Sequence, residues 1–415
     1  MAYSLPYGMR RLIEYVLMTV LVLVCGSPHF TSKYIYAALG LLTLAYLVLS
    51  GNLMKMKRLW WYLLAYVVIF GLQFYVLGTI SVYGSLNLMM KIIFGAVLMK
   101  EMGDNFRLRY FNVLSFFSLV SLVLFFMQLM GYVIPNMTGQ PYERLHSVIV
   151  YQCDMTRLDR NCGPFWEPGA LAGYLIVAFV LYLDSLDVLM KKHPFKMGVL
   201  ILALLTTRST TGYLVFAVIV FYFLIRKARS YRLLVYLVGI PAAIFVFYNI
   251  FSRVEFMRKK LDEQIESAEF ETTGEEIEYD SNRFASLLFD MHYIRKHPIV
   301  GNGLKEETRY ADNPELWGLA LGHGNGFSNF LAQMGIIIFL LYFISICRNL
   351  TFDKWDSLVF TFLIAMLLFG EQYLNYPLFL AMPFLTTDNE KWEERERKRL
   401  EDKRLKGFRY RSIGG

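Results

Sequence analysis

Residues 161–183 read NCGPFWEPGALAGYLIVAFVLYL. From Leu171 onward the stretch is apolar and uncharged, as a membrane-embedded helix requires. Its first half sets Gly, Pro, two aromatics and the carboxylate of Glu167 directly against that run, and Arg157, Asp159 and Arg160 stand just before it. Charged side chains at the mouth of a span are costly unless they meet an anion or a partner, so they mark a site.

Outward from this stretch, similar apolar runs recur along the chain. They lie near 12–27, 34–50, 60–78, 86–100, 110–134, 167–187, 197–207, 211–225, 232–250, 326–347, 355–370 and 374–386. Several, notably 197–207 and the last, are short for a full crossing of about 20 residues. The chain has 415 residues, 56% of them apolar, 16% aromatic and only 18% charged, and its mean hydropathy is +0.41. These values exclude an ordinary soluble domain. They predict an all-α polytopic membrane protein of about twelve transmembrane helices, because lipid forces backbone groups to pair within each segment and no ten-residue alternating strands occur.

Basic residues orient these spans. Arg10 and Arg11, the KMKR of 55–58, Lys191, Lys192 and Lys196, and the RKARSYR of 226–232 fall in loops on one side. By the positive-inside rule that side is cytoplasmic, and both termini with it. Cys25-Gly26-Ser27 is a poor cleavage site, so the first span is expected to be retained. The net charge of +8 is thereby a matter of topology and calls for no nucleic acid. The expected organisation is spans one to nine over 1–250 with an outer loop at 135–166, and a large outer loop at 251–325 between spans nine and ten. That loop carries an amphipathic segment at 253–270. Spans ten to twelve over 326–387 and a basic cytoplasmic tail over 388–415 complete the chain.

Everything with chemical character falls on the outer side. Arg157, Arg160, Arg208 and Arg283 offer planar forks suited to phosphate, and the phosphates presented at such a surface belong to lipid headgroups and lipid-linked sugars. Arg208 is the sharpest case, flanked by Thr206, Thr207, Ser209, Thr210 and Thr211 where two apolar runs meet. Cys153 and Cys162, nine positions apart in an outer loop, are close enough in sequence to bridge in an oxidising compartment, and the sequence leaves open whether they bridge or stay unpaired. A transporter should carry charges within several spans and internal repeats; here Lys91 alone is mid-span and no repeat is seen. A membrane O-acyltransferase should bury a histidine in a span, and no span interior holds one.

Four motifs in order complete the pattern. They are RNCGPFWEPGALAGYL (160–175), TTRSTTGYLVFAVIV (206–220), NRFASLLFDMHYIRKHPIVGNGL (282–304) and HGNGFSNFLAQMG (323–335). Together they resemble the O-antigen polymerase and O-antigen ligase superfamily over roughly residues 100–385. The resemblance implies a C-type glycosyltransferase-like fold in the bacterial inner membrane, with its active face periplasmic. It implies transfer of a glycan from undecaprenyl pyrophosphate, with a chain-length regulator and a flippase as possible partners. Arg160, Arg208 and Arg283 match the family's arginines and would hold pyrophosphate together with Arg157. His323 or Glu167 would activate the acceptor, with Glu371 of FGEQYLNYP a third candidate. Asn325 matches a supporting asparagine, although Gly324 separates it from His323 where the family has the two adjacent. Ile338 stands where the ligase subgroup has a second glycine, which favours a polymerase over a ligase. The early outer loops PHFTSK and TISVYGS carry no carboxylate, so the resemblance implies arginine clamping without metal or cofactor.

Overall fold

A computed structural model describes residues 7–103, 105–137, 145–227, 283–317, 324–349 and 354–385. The helices are α1 (Tyr7–Val24), α2 (Lys33–Leu49), α3 (Lys57–Leu77), α4 (Val82–Met102), α5 (Asn105–Leu129), α6 (Pro168–Val180), α7 (Leu186–Lys192), α8 (Pro194–Thr206) and α9 (Thr210–Lys227). After 227 the described helices resume with α10 (Arg283–Lys296), α11 (Glu306–Arg309), α12 (Gly326–Asn349), α13 (Lys354–Gly370) and α14 (Pro377–Leu380). Their ends carry local signals. Ser32 and Ser81 accept backbone N–H groups of the first turns of α2 and α4, Gly78 closes α3 at φ 73°, and Pro168 and Pro194 open α6 and α8.

Five helices among the described residues are long and apolar enough to cross a membrane, and α2, α6 and α8 are shorter apolar helices. The expected ninth span (232–250), the amphipathic segment 253–270 and the basic tail lie outside the described residues. The short run at 197–207 is indeed a short helix, α8, of 13 residues. Residues 167–187 are not one span: α6 ends at Val180, and turns lead into α7. The all-helical expectation also needs one amendment. Leu145–Val148 (β1) and Tyr151–Asp154 (β2) pair antiparallel as a small hairpin in the loop between α5 and α6.

The centre of the bundle is α6, whose residues are buried almost throughout, as an all-round apolar helix demands. Tyr110 on α5 donates to the Tyr174 carbonyl at 2.9 Å, and Tyr174 donates in turn to the Cys25 carbonyl at 2.7 Å. Phe165 stacks on Tyr174 at 4.1 Å. At Gly212 an added Cβ would lie 2.6 Å from that of Ala172, so α9 approaches α6 closely at this glycine.

Helix α12 breaks at Gly335 (φ 71°, ψ 174°), and the 298–303 turn fills the break. Asn302 and Gly303 donate their N–H groups to the carbonyls of Ala332 and Gln333 at 2.8 and 3.0 Å, and Ile336 donates to Pro298 at 2.9 Å. Gln73, buried near the C-terminal end of α3, donates to the carbonyls of Val300 and Gln333 at 2.6 and 2.8 Å. The HPIVGNG motif is therefore a structural lock: it satisfies the backbone groups freed by the broken helix.

The expected twelfth span, 374–386, is not a regular helix. From Glu371, beside the end of α13, the chain proceeds through a 3₁₀ turn (Tyr373–Asn375), α14, and a second 3₁₀ turn (Met382–Phe384). It reaches Arg58 in the first turn of α3, whose Nη2 donates to the Pro383 carbonyl at 3.1 Å. Pro377 and Pro383 interrupt any continuous helix, and irregular backbone of this kind survives at membrane depth only when protein covers it. Cover comes from Gly95, where a Cβ would lie 2.6 Å from Ala381, and from Tyr342, which donates to the Phe379 carbonyl at 2.8 Å.

Candidate functional site

The break between α8 and α9 presents Arg208. Among the described residues it is the one non-glycine residue at positive φ (49°), a conformation that side chains adopt at a cost. Its neighbours hold it there. Thr207 Oγ1 donates to the Leu204 carbonyl and accepts from the Ser209 N–H, and Ser209 Oγ accepts from the Gly212 N–H. Asn161 donates its backbone N–H to the Thr206 carbonyl at 3.0 Å and its side-chain amide to Thr206 Oγ1 at 3.0 Å. The 157–161 turn is thus stapled to the break.

That staple brings three of the four expected arginines together. Arg208 Nη1 forms an ion pair with Asp159, both side chains being about half exposed. Arg160 is half-buried, and burial pushes its guanidinium below the usual arginine value. The charges of Arg157 and Arg208 act in the same direction, and Asp159 opposes them. Arg157 itself is exposed.

The fourth arginine has other partners. Arg283, at the start of α10, donates from Nε to the Gly370 carbonyl at 3.0 Å and lies 3.5 Å from Glu371 Oε1. The Glu371 carboxylate rests over Gly169, where an added Cβ would stand 3.1 Å from its Cδ. Tyr373 donates to the Gly169 carbonyl at 2.8 Å. Glu167 is the N-cap residue of α6 but makes no capping hydrogen bond; its Oε1 accepts from the Trp166 indole at 3.2 Å. Trp166 stacks on Tyr376 at 4.6 Å. Glu167, Glu371 and Arg283 therefore gather around the first turn of α6.

Thr211 connects the two groups. It follows Arg208 by three residues, and a Cβ on Gly370 would lie 2.7 Å from its Cγ2, so both groups occupy one end of the bundle. Asn325 turns out to be a cap: its Oδ1 accepts from the N–H groups of Phe327 and Ser328 at 3.1 Å, and its amide donates to the Arg283 carbonyl at 3.3 Å. It fixes α10 to the first half of α12. His323 lies outside the described residues.

Of the two states open to Cys153 and Cys162, the structure shows the unbridged one, with both thiols free. Cys153 packs with Phe125, Ile134 and Tyr151 in its own apolar cluster, and burial raises its thiol to about 11. The loop is closed by hydrogen bonds instead, the Gln152 N–H donating to the Gly163 carbonyl at 2.7 Å.

Two features had no signal in the sequence. One is the aromatic set of Trp166, Tyr373 and Tyr376 around Glu167. The other is the buried Asp290–Arg309 ion pair, joined by Ser328, which donates to Asp290 at 2.5 Å, and by Asn329, which accepts from Arg309 Nε at 3.4 Å. The partners of this ion pair sit 19 to 38 positions from it, too far for a local pattern to show, and the aromatic set comes from two still more distant segments.

No curated protein matches the chain. Residues 196–343 match the model of the O-antigen ligase family. This segment runs from α8 through the Arg208 break, Arg283 and the HPIVGNG lock to beyond the break in α12. That match contains three of the four ordered motifs and supports their resemblance to the O-antigen ligase and polymerase superfamily.

Proposed function

We propose that the chain polymerises surface-polysaccharide repeat units, moving glycan from an undecaprenyl-pyrophosphate carrier at the periplasmic face of the inner membrane. The observation that carries this reading is the gathering of Arg157, Arg160 and Arg208 at the same end of the bundle as Glu167, Glu371 and Arg283.

In the reaction an acceptor hydroxyl oxygen bonds to the anomeric carbon while the bond from that carbon to the pyrophosphate oxygen breaks. The electron pair leaves on pyrophosphate, whose growing charge the arginines stabilise without a metal. The hydroxyl proton needs an acceptor only as the new bond forms. Glu371 commits one oxygen to Arg283, so Glu167, held by the Trp166 indole, is the carboxylate assigned to the acceptor, with His323, two residues before Asn325 in the chain, as the other base. Arg283 then orients Glu371 and closes the pyrophosphate site from the α10 side.

The same reading places the termini in the cytoplasm and residues 251–325 in the periplasm, with a flippase supplying donor and a regulator setting chain length. Joining of a finished glycan to lipid A core is the second reading, favoured by the family description of the matched segment. A deletion strain separates the two. Product capped at one repeat unit supports the polymerase; normal chain length without attachment supports the ligase. Wild-type polysaccharide in that strain would end both.

A further inference from the structure

We propose that Asp159 sets the donor affinity of the arginine cluster, occupying the Arg208 guanidinium until a pyrophosphate displaces it; the idea rests on the pyrophosphate reading above. Asp159 sits in a turn between two of the arginines. The Arg157 N–H donates to the Asp154 carbonyl at 2.9 Å and the Arg160 N–H to the Arg157 carbonyl at 3.1 Å. The carboxylate thereby projects into a group of three cations whose charges act on one another.

Two features make this carboxylate an occupant of the site rather than its scaffold. First, the Arg208 backbone is held at positive φ by Thr207, Ser209 and the Asn161–Thr206 hydrogen bonds, none of which involves the Asp159 side chain. Second, the side chains are 47% and 51% exposed, so water and salt screen the pair and little holds it closed. A pyrophosphate carries more charge than one carboxylate and offers oxygens to several arginine forks at once, so it wins the exchange.

The exchange matters because the outer leaflet is crowded with phosphodiester headgroups. A tethered carboxylate lowers the affinity of every anion by the same factor. A tight ligand stays bound under that handicap while a weak headgroup falls below saturation.

The sign of one substitution decides the matter. The full-length protein in detergent is titrated calorimetrically with inorganic pyrophosphate. Asp159→Asn and Asp159→Ser should bind it about 2- to 5-fold more tightly than wild type, the range expected when an exposed ion pair is removed from competition. The gain should disappear in an Arg208→Gln background. Unchanged or weaker binding in both Asp159 variants, with saturable binding by wild type, would overturn the role of Asp159 alone. Absence of saturable binding by the wild-type protein would overturn the pyrophosphate reading and this role with it.

Discussion

Gly335 and Ile299 meet backbone to backbone: a Cβ on Gly335 would stand 2.5 Å from the Ile299 carbonyl carbon. This contact lets the 298–303 turn enter the break in α12, and with it the position of the half-helix that begins beside Asn325 and Glu371.

Gly335→Ala should therefore fail as a folded protein. A positive φ of 71° costs an alanine about 1–3 kcal/mol, and the backbone atom it meets cannot rotate away. Loss of the monodisperse species in size-exclusion chromatography, or a large drop in thermal midpoint, checks this. A stable Gly335→Ala protein would contradict the lock.

Gly169→Ala should behave differently, because the atoms in its way belong to the Glu371 side chain, which can move. The expected cost in stability is about 1 kcal/mol or less, while displacement of Glu371 from Arg283 lowers glycan transfer more than tenfold. Polymer formation from lipid-linked oligosaccharide, measured beside the thermal midpoint, separates the two effects.

Arg208→Gly tests whether strain and charge are separable at one residue. Glycine accepts φ 49° freely, so the variant should be as stable as wild type or gain about 0.5–1 kcal/mol. It should nevertheless lose nearly all activity, because the guanidinium is gone. Retained activity would remove Arg208 from the site.

Asp312 gives a pH signature beside the C-terminal end of α10. Hydrogen bonds from Lys296 and His292 hold its carboxyl below the usual value of 3.8. Its folded value is depressed, so its contribution to stability is present above about pH 4 and is lost as the pH falls through the folded value. The thermal midpoint of wild type should drop across that interval more steeply than that of Asp312→Asn. Parallel curves would show that the cluster of Asp312, Lys296 and His292 adds nothing.

Much of this protein was legible in its sequence because the relevant properties are local. Apolar runs of helical length mark membrane helices wherever they occur, and the short run at 197–207 already announced the short helix α8. The arginine amid threonines at 206–211 announced a break between two apolar runs, since residues that bond their own backbone favour such turns, while the positive φ of Arg208 came only from the structure. Tertiary structure decided what depends on contacts between distant segments. Only packing shows that 374–385 folds as broken turns sheltered by Gly95, that Gln73 braces the HPIVGNG lock, and that the Asn161–Thr206 staple assembles three arginines. Only packing separates Arg283 from them and sets it on Glu371. A residue's neighbours along the chain limit its conformation, but the partner of a buried charge is chosen by which helices approach closely enough to exclude solvent.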